Sequence, residues 1–266
     1  MNRHIRTGSI GLDLLLGGGW ERGHIHEIWG EPGSGKSTVA ATALHELETG
    51  EKAMWMVLGT ELPHRPSKAL VCQPRNAEQA FCIMEAFLGG HGSLVIVDSA
   101  NGLVRQAELD GDPLYFPHPQ REYAAELNGL KKVCADHRGT AIFLSKPRDH
   151  DRQPIRGTGI SEKARSRVRL HTSQVHQDES RLVEATVRGM DGESALFPIL
   201  PGTGIDWASE LASMALKTGI ATRKGSWIDL NPLGFHGFKE FAREIEDNVR
   251  LAVELDERIR EHPNRT

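Results

Sequence analysis

Residues 30–38 read GEPGSGKST and set Gly30, Gly35, Lys36 and Ser37 in the spacing G-x-x-x-x-G-K-[ST]. That spacing describes a backbone loop folded around a triphosphate. Backbone N–H groups converge on phosphate oxygens only where side chains are absent at the closest approaches, a demand that Gly33 and Gly35 meet. The candidate cofactor-binding residues are therefore Gly30, Glu31, Pro32, Gly33, Ser34, Gly35, Lys36, Ser37 and Thr38. Among them Lys36 is the candidate catalytic cation for the β- and γ-phosphates, and the Ser37 hydroxyl is a candidate ligand for Mg²⁺. A glycine-rich turn matching by chance is the bland alternative, and the flanking sequence argues against it. HIHEIW before the loop suits a short strand, and TVAATALHELE after it suits a helix whose positive N-terminal end adds to the same anion site.

Two carboxylates extend this chemistry. Asp98, followed by Ser99, closes the apolar run SLVIVD. A carboxylate at the C-terminal end of a buried strand beside a phosphate loop holds Mg²⁺ through water, so Asp98 joins Ser37 as a candidate metal residue. Taken alone, an aspartate in that place is commonplace. Glu61 follows the run 53–58 (AMWMVL) and is the candidate for orienting and deprotonating the attacking water. A solvated loop carboxylate is the alternative.

The elements that must position these groups are legible as alternation. Residues 7–19 pair an N-cap candidate with a short apolar helix ended by glycines. After the loop and its helix come strands at 53–58 and 69–72, a helix at 76–88, a buried strand at 93–98, a helix at 122–137 and a strand at 140–145. Such alternation predicts an α/β fold with a mainly parallel sheet flanked by helices on both sides. The Gly- and Pro-rich stretch 189–205 is expected to end the core. Beyond it the pattern predicts a helix at 207–217, a short strand at 225–229 and one long amphipathic helix at 239–260.

Of 266 residues, 38% are hydrophobic and 26% charged, as in an ordinary globular chain. No apolar run is long enough to cross a membrane and MNRHIRTGS lacks a signal-peptide core, so a cytoplasmic protein with no membrane partner is expected. Cys72, Cys82 and Cys134 are odd in number and form no C-x-x-C pair, so neither a zinc ribbon nor a disulfide framework is indicated. The net charge of −4 does not advertise a nucleic-acid binder, yet residues 146–169 hold eight Lys or Arg against three acids. A local basic excess of that kind is what a phosphate-binding groove requires.

The order TGSIGLDLLLGGG, GEPGSGKST, CQPRNAEQA and VIVDSANGLVRQAELDG resembles that of the bacterial RecA recombinases. The CQP…EQA segment is not shared by phosphate-loop proteins at large. The likeness continues through KARSRVRL and LFPILPGTGID, and more faintly to the C-terminus, covering nearly the whole chain. It implies a RecA-type P-loop NTPase core at 1–205, a small α+β C-terminal domain at 206–266, the cofactors ATP and Mg²⁺, and DNA-dependent ATP hydrolysis. It also implies single-stranded DNA as partner, double-stranded DNA during strand exchange, and self-association across ATP on DNA.

By the same resemblance, Lys146 stands where the family has a glutamine that senses the γ-phosphate, and either Thr60 or Glu61 matches the catalytic carboxylate. The second DNA-binding loop matches 147–161, with Arg148, Arg152 and Arg156 as phosphate contacts and Lys163 beyond it. Arg165, Arg167 and Arg169 alternate along an expected strand and share one face. They are DNA candidates, with a solvated face or a subunit contact as alternatives. The first DNA loop matches 108–118, where Tyr115 and Phe116 either stack on bases or fill the core beneath. Arg188 matches the region of a trans-acting lysine pair. Family members carry an N-terminal docking helix and strand, whereas six residues precede Thr7 here, so a monomer or small oligomer is expected without DNA. The leading expectation is an active recombinase. The alternatives are an annealing or recombination-mediator ATPase and a RecA-fold signalling ATPase, the last of which leaves 146–169 without purpose.

Overall fold

The computed structural model describes residues 2–59, 66, 68–115, 123–147, 159–190 and 192–262. The chain opens with strand β1 (His4–Ile5), helix α1 (Ile10–Leu15) and strands β2 (Trp20–Glu21) and β3 (Ile25–Gly30), and then enters α2 (Lys36–His45). Next come β4 (Ala53–Val57), β5 (Leu70–Cys72), α3 (Ala77–Gly89), β6 (Leu94–Asp98), the short α4 (Gln106–Leu109), α5 (Ala124–His137) and β7 (Thr140–Ser145). After α6 (Ile160–Lys163) the strands β8 (Ser166–Val175), β9 (Arg181–Val187), β10 (Ser194–Leu200) and β11 (Gly204–Ile205) follow in succession. The C-terminal part is α7 (Trp207–Lys217), the strands β12 (Thr222–Lys224), β13 (Trp227–Leu230) and β14 (Leu233–His236), α8 (Phe238–Asp247) and α9 (Val249–Glu261).

Among the described residues, nine strands form one sheet in the order β11-β10-β9-β8-β3-β7-β6-β4-β5. From β8 to β5 every pairing is parallel, and from β8 to β11 every pairing is antiparallel. Successive residues of a strand face opposite sides, and β4 shows the consequence. Trp55 and Val57 join a core with α1 and α2, while Met54 and Met56 join a second core with α3 and α5. Both faces of the parallel half are thus covered, which is why β4, β6 and β7 are largely apolar along their length. Asn76 starts α3 by accepting from Gln79 N at 2.8 Å, and Ser9 caps α1 through Leu12 N at 3.1 Å.

Two expectations need correction. The stretch 189–205 does not merely close the core: Ser194–Leu200 is strand β10, paired with β9 from Ser194 to Ile199. The Pro and Gly content disguised an alternating apolar pattern in which Ala195, Phe197 and Ile199 are buried. Nor is 239–260 one helix. Asn248 leaves helical geometry at φ −116° and ψ 88° and caps α9 through Leu251 N at 3.2 Å. Helices α7, α8 and α9 and strands β13 and β14 share a third apolar cluster, joined by Ile10 of α1.

Candidate functional site

Parallel strands β3, β6 and β7 point their C-terminal ends at one place, and the loop after β3 is the phosphate loop. Gly33 and Gly35 hold φ of +79° and +90°, a region that side-chain-bearing residues rarely adopt. Helix α2 begins at Lys36, so its unpaired N–H groups open toward the loop. Lys36 Nζ donates to the carbonyls of Gly30 and Glu31, each at 2.7 Å. Burial lowers the Lys36 pKa to about 8, with Asp98 opposing the shift. Asp98, at the end of β6, accepts from Ser37 Oγ at 2.9 Å. Burial raises its pKa, against the Ser37 hydrogen bond and the charges of Lys36 and Lys146.

Lys146 follows β7 directly, with its backbone N–H donating to Asn101 Oδ1 at 2.9 Å. It is close enough to act electrostatically on both Lys36 and Asp98. The lysine singled out in the sequence therefore lies at the same site as the phosphate loop. Thr60 and Glu61 lie outside the described residues.

The donors present fit a magnesium nucleotide. Ser34 Oγ is buried in the loop and has no hydrogen-bond partner, and an orphaned hydroxyl of this kind suits a phosphate ligand. Ser37 and Asp98 supply a hydroxyl and a carboxylate, the hard oxygen donors that Mg²⁺ takes. Among the described residues no group of three or more His, Cys, Asp or Glu side chains could hold a metal alone. A site completed by phosphate oxygens and water is the usual Mg²⁺ arrangement.

The basic residues divide. Arg167 Nε donates to Glu27 Oε2 at 2.8 Å, and the two side chains are 12% and 2% exposed. The other oxygen of Glu27 accepts from Ser145 Oγ at 2.9 Å. Arg167 is thus engaged inside the subunit, in a buried network joining β3, β7 and β8, and contact with DNA would require it to leave Glu27. Arg169 lies over the Trp29 ring at 5.4 Å. Arg165 pairs with Glu21 at 2.8 Å but is 58% exposed, and a surface pair of that kind leaves its charge available. Lys163 ends α6, half-buried. Arg188 is exposed just beyond β9. Arg148, Arg152, Arg156 and Phe116 lie outside the described residues. Tyr115 is half-buried beside Leu114, which is 83% exposed.

Two contributors escaped the sequence reading. Glu27 was visible only as a carboxylate inside an apolar strand, a placement that itself asks for a buried partner. Arg181, the first residue of β9, donates through Nη1 to the Gly33 carbonyl at 2.5 Å. Nothing in the sequence links positions so far apart.

Phosphate loop, strand-end carboxylate and mainly parallel sheet together define a phosphate-loop nucleotide-binding α/β protein. Comparison narrows the class: the RecA N-terminal domain family matches residues 2–148, and the chain belongs to the RecA family of recombinases. It is 28% identical over 288 residues to Protein RecA of Clostridioides difficile strain 630, covering 96% of this chain and 82% of that protein. The corresponding protein of Pseudarthrobacter chlorophenolicus is 29% identical over 291 residues, covering 97% and 81%. That of Porphyromonas gingivalis is 28% identical over 287 residues, covering 97% and 84%. The family acts in DNA recombination and repair and uses ATP and Mg²⁺. No helix among the described residues is long and apolar enough to cross a membrane.

Proposed function

We propose that this chain is an ATP- and Mg²⁺-dependent recombinase that binds single-stranded DNA, and double-stranded DNA during strand exchange, with ATP hydrolysis stimulated by DNA. The observation that carries the reading is the convergence of Lys36, the Ser37–Asp98 pair at 2.9 Å and Lys146 at the mouth of the basic segment. Lys36 leaves the carbonyls of Gly30 and Glu31 to neutralise the terminal phosphates, and the α2 N–H groups hold the same anion. When bound, Mg²⁺ supplies Lewis-acid stabilisation of charge on the transferring phosphoryl group, and Ser37 and Asp98 orient it. Glu61 orients the attacking water. Lys146 reads the γ-phosphate as a point charge and passes its position into the segment carrying Arg148, Arg152 and Arg156, which together with Lys163, Arg165 and Arg169 contacts DNA phosphates. Tyr115 and Phe116 stack on bases. Exposed Arg188 reaches the nucleotide of a neighbouring subunit, and residues 1–205 and 206–266 act as core and appendage.

A lysine at 146 favours a second reading. It offers one flexible charge where an amide offers a paired donor and acceptor, which suits an annealing or mediator ATPase that binds both ligands without exchanging strands. Strand-exchange assays with ATP and Mg²⁺ separate the two: joint-molecule products support the recombinase, and annealing of complementary strands alone supports the mediator.

A further inference from the structure

The phosphate loop rests on the antiparallel strands of the sheet. A Cβ on Gly30 would strike the Leu170 carbonyl of β8, one on Gly33 would lie 3.3 Å from Arg181 Nη1 of β9, and one on Gly35 would lie 2.5 Å from Ile199 Cδ1 of β10. Three adjacent strands therefore seat three glycines, and from these strands Arg181 meets the loop with a side-chain hydrogen bond. Arg181 is paired in register with Val175 on one side and Ile199 on the other, so the sheet fixes its backbone. Its guanidinium carries five N–H donors, of which one goes to the Gly33 carbonyl.

We propose that Arg181 is a positioning residue for nucleotide binding, holding the Gly33 carbonyl against β9 and away from the phosphate cradle. The 33–34 peptide is planar, so fixing its carbonyl also holds the Ser34 N–H in place, where it donates to the Glu31 carbonyl at 3.1 Å and closes the turn of the loop. A rotated peptide would break that turn and set the Gly33 carbonyl against the Glu31 carbonyl, distorting the cradle. The same contact ties the loop to the β8–β9 hairpin, whose first strand carries the end of the basic segment, Arg167 and Arg169. The proposal rests on the reading of the loop as an ATP site.

The test uses the full chain and its Arg181→Gln and Arg181→Lys variants, with Mg·ATP titrated calorimetrically, turnover measured, and melting followed without nucleotide. Arg181→Gln should weaken ATP binding about tenfold, the scale of one hydrogen bond from a charged donor. KM should rise with kcat nearly unchanged, the ligand-free melting temperature should hold, and Arg181→Lys should recover much of the affinity. Wild-type affinity in Arg181→Gln overturns the proposal, as does an equal loss in both variants accompanied by a lowered melting temperature. A wild-type chain that binds no ATP is a different result, and it removes the nucleotide reading together with this one.

Discussion

Strands on the two sides of β8 bury themselves differently. In β7 all six residues are buried, and in β6 every residue except Asp98. Along β9 and β10, by contrast, buried Val183, Ala185, Phe197 and Ile199 alternate with partly or fully exposed residues. Helices cover both faces of the parallel half, so β6 and β7 are buried along their length and the groups of the site stand at or just past their C-terminal ends, as Asp98 and Lys146. The antiparallel half has a freer face, on which Arg169 stands in register with Thr186, while Arg181 lies at the end of the covered face in line with Val183 and Ala185. One half thus supplies the reacting groups, and the other supplies their seat and the basic surface.

Arg167 crosses that division, and removing it should have the largest effect. Arg167→Ala leaves the buried Glu27 carboxyl without its guanidinium partner, a loss of about 3–5 kcal/mol of stability by urea unfolding. Unchanged stability with a flatter salt dependence of DNA binding would return Arg167 to the DNA surface. Gly35→Ala should come next. It forces a side chain into φ +90° and against Ile199, a strain of about 1–3 kcal/mol that should appear as lost ATP affinity. Pairing it with Ile199→Ala should recover part of the affinity by relieving the clash while the backbone strain remains. Recovery of none would separate the loop from its seat.

The smallest of these effects concerns pH. Burial lowers the Lys36 pKa to about 8 in the free protein, and a bound triphosphate raises it again. Below the free value the lysine is already charged when ATP arrives, whereas above it binding must take up a proton. ATP affinity should therefore fall as pH rises, by about tenfold between roughly pH 7 and 9. A flat profile over that range would show that Lys36 stays charged throughout.

The parallel half was legible because each of its elements has a local cause. The glycine spacing marks the loop, continuous apolar runs mark β6 and β7, and Asn76 marks the start of α3. Trp207–Lys217 was read from its apolar face and is α7. The antiparallel half was harder. Pro198 and the surrounding glycines hid β10, whose reason for being a strand is its partner β9 rather than its own propensity. Asn248 broke a helix that periodicity alone would have continued. At the site, Lys36, Ser37 and Asp98 could be placed from spacing, but the hold of Arg181 on Gly33 depends on the register of three strands.

The most direct measurement of the central claim is the rate of ATP hydrolysis with Mg²⁺, taken with and without single-stranded DNA, for the wild-type chain and Lys36→Ala. Turnover should rise when DNA is added, and Lys36→Ala should lower it by about a hundredfold or more, the scale of losing one preorganised charge from such a site. Wild-type turnover that is indifferent to DNA, or that survives in Lys36→Ala, would contradict the account.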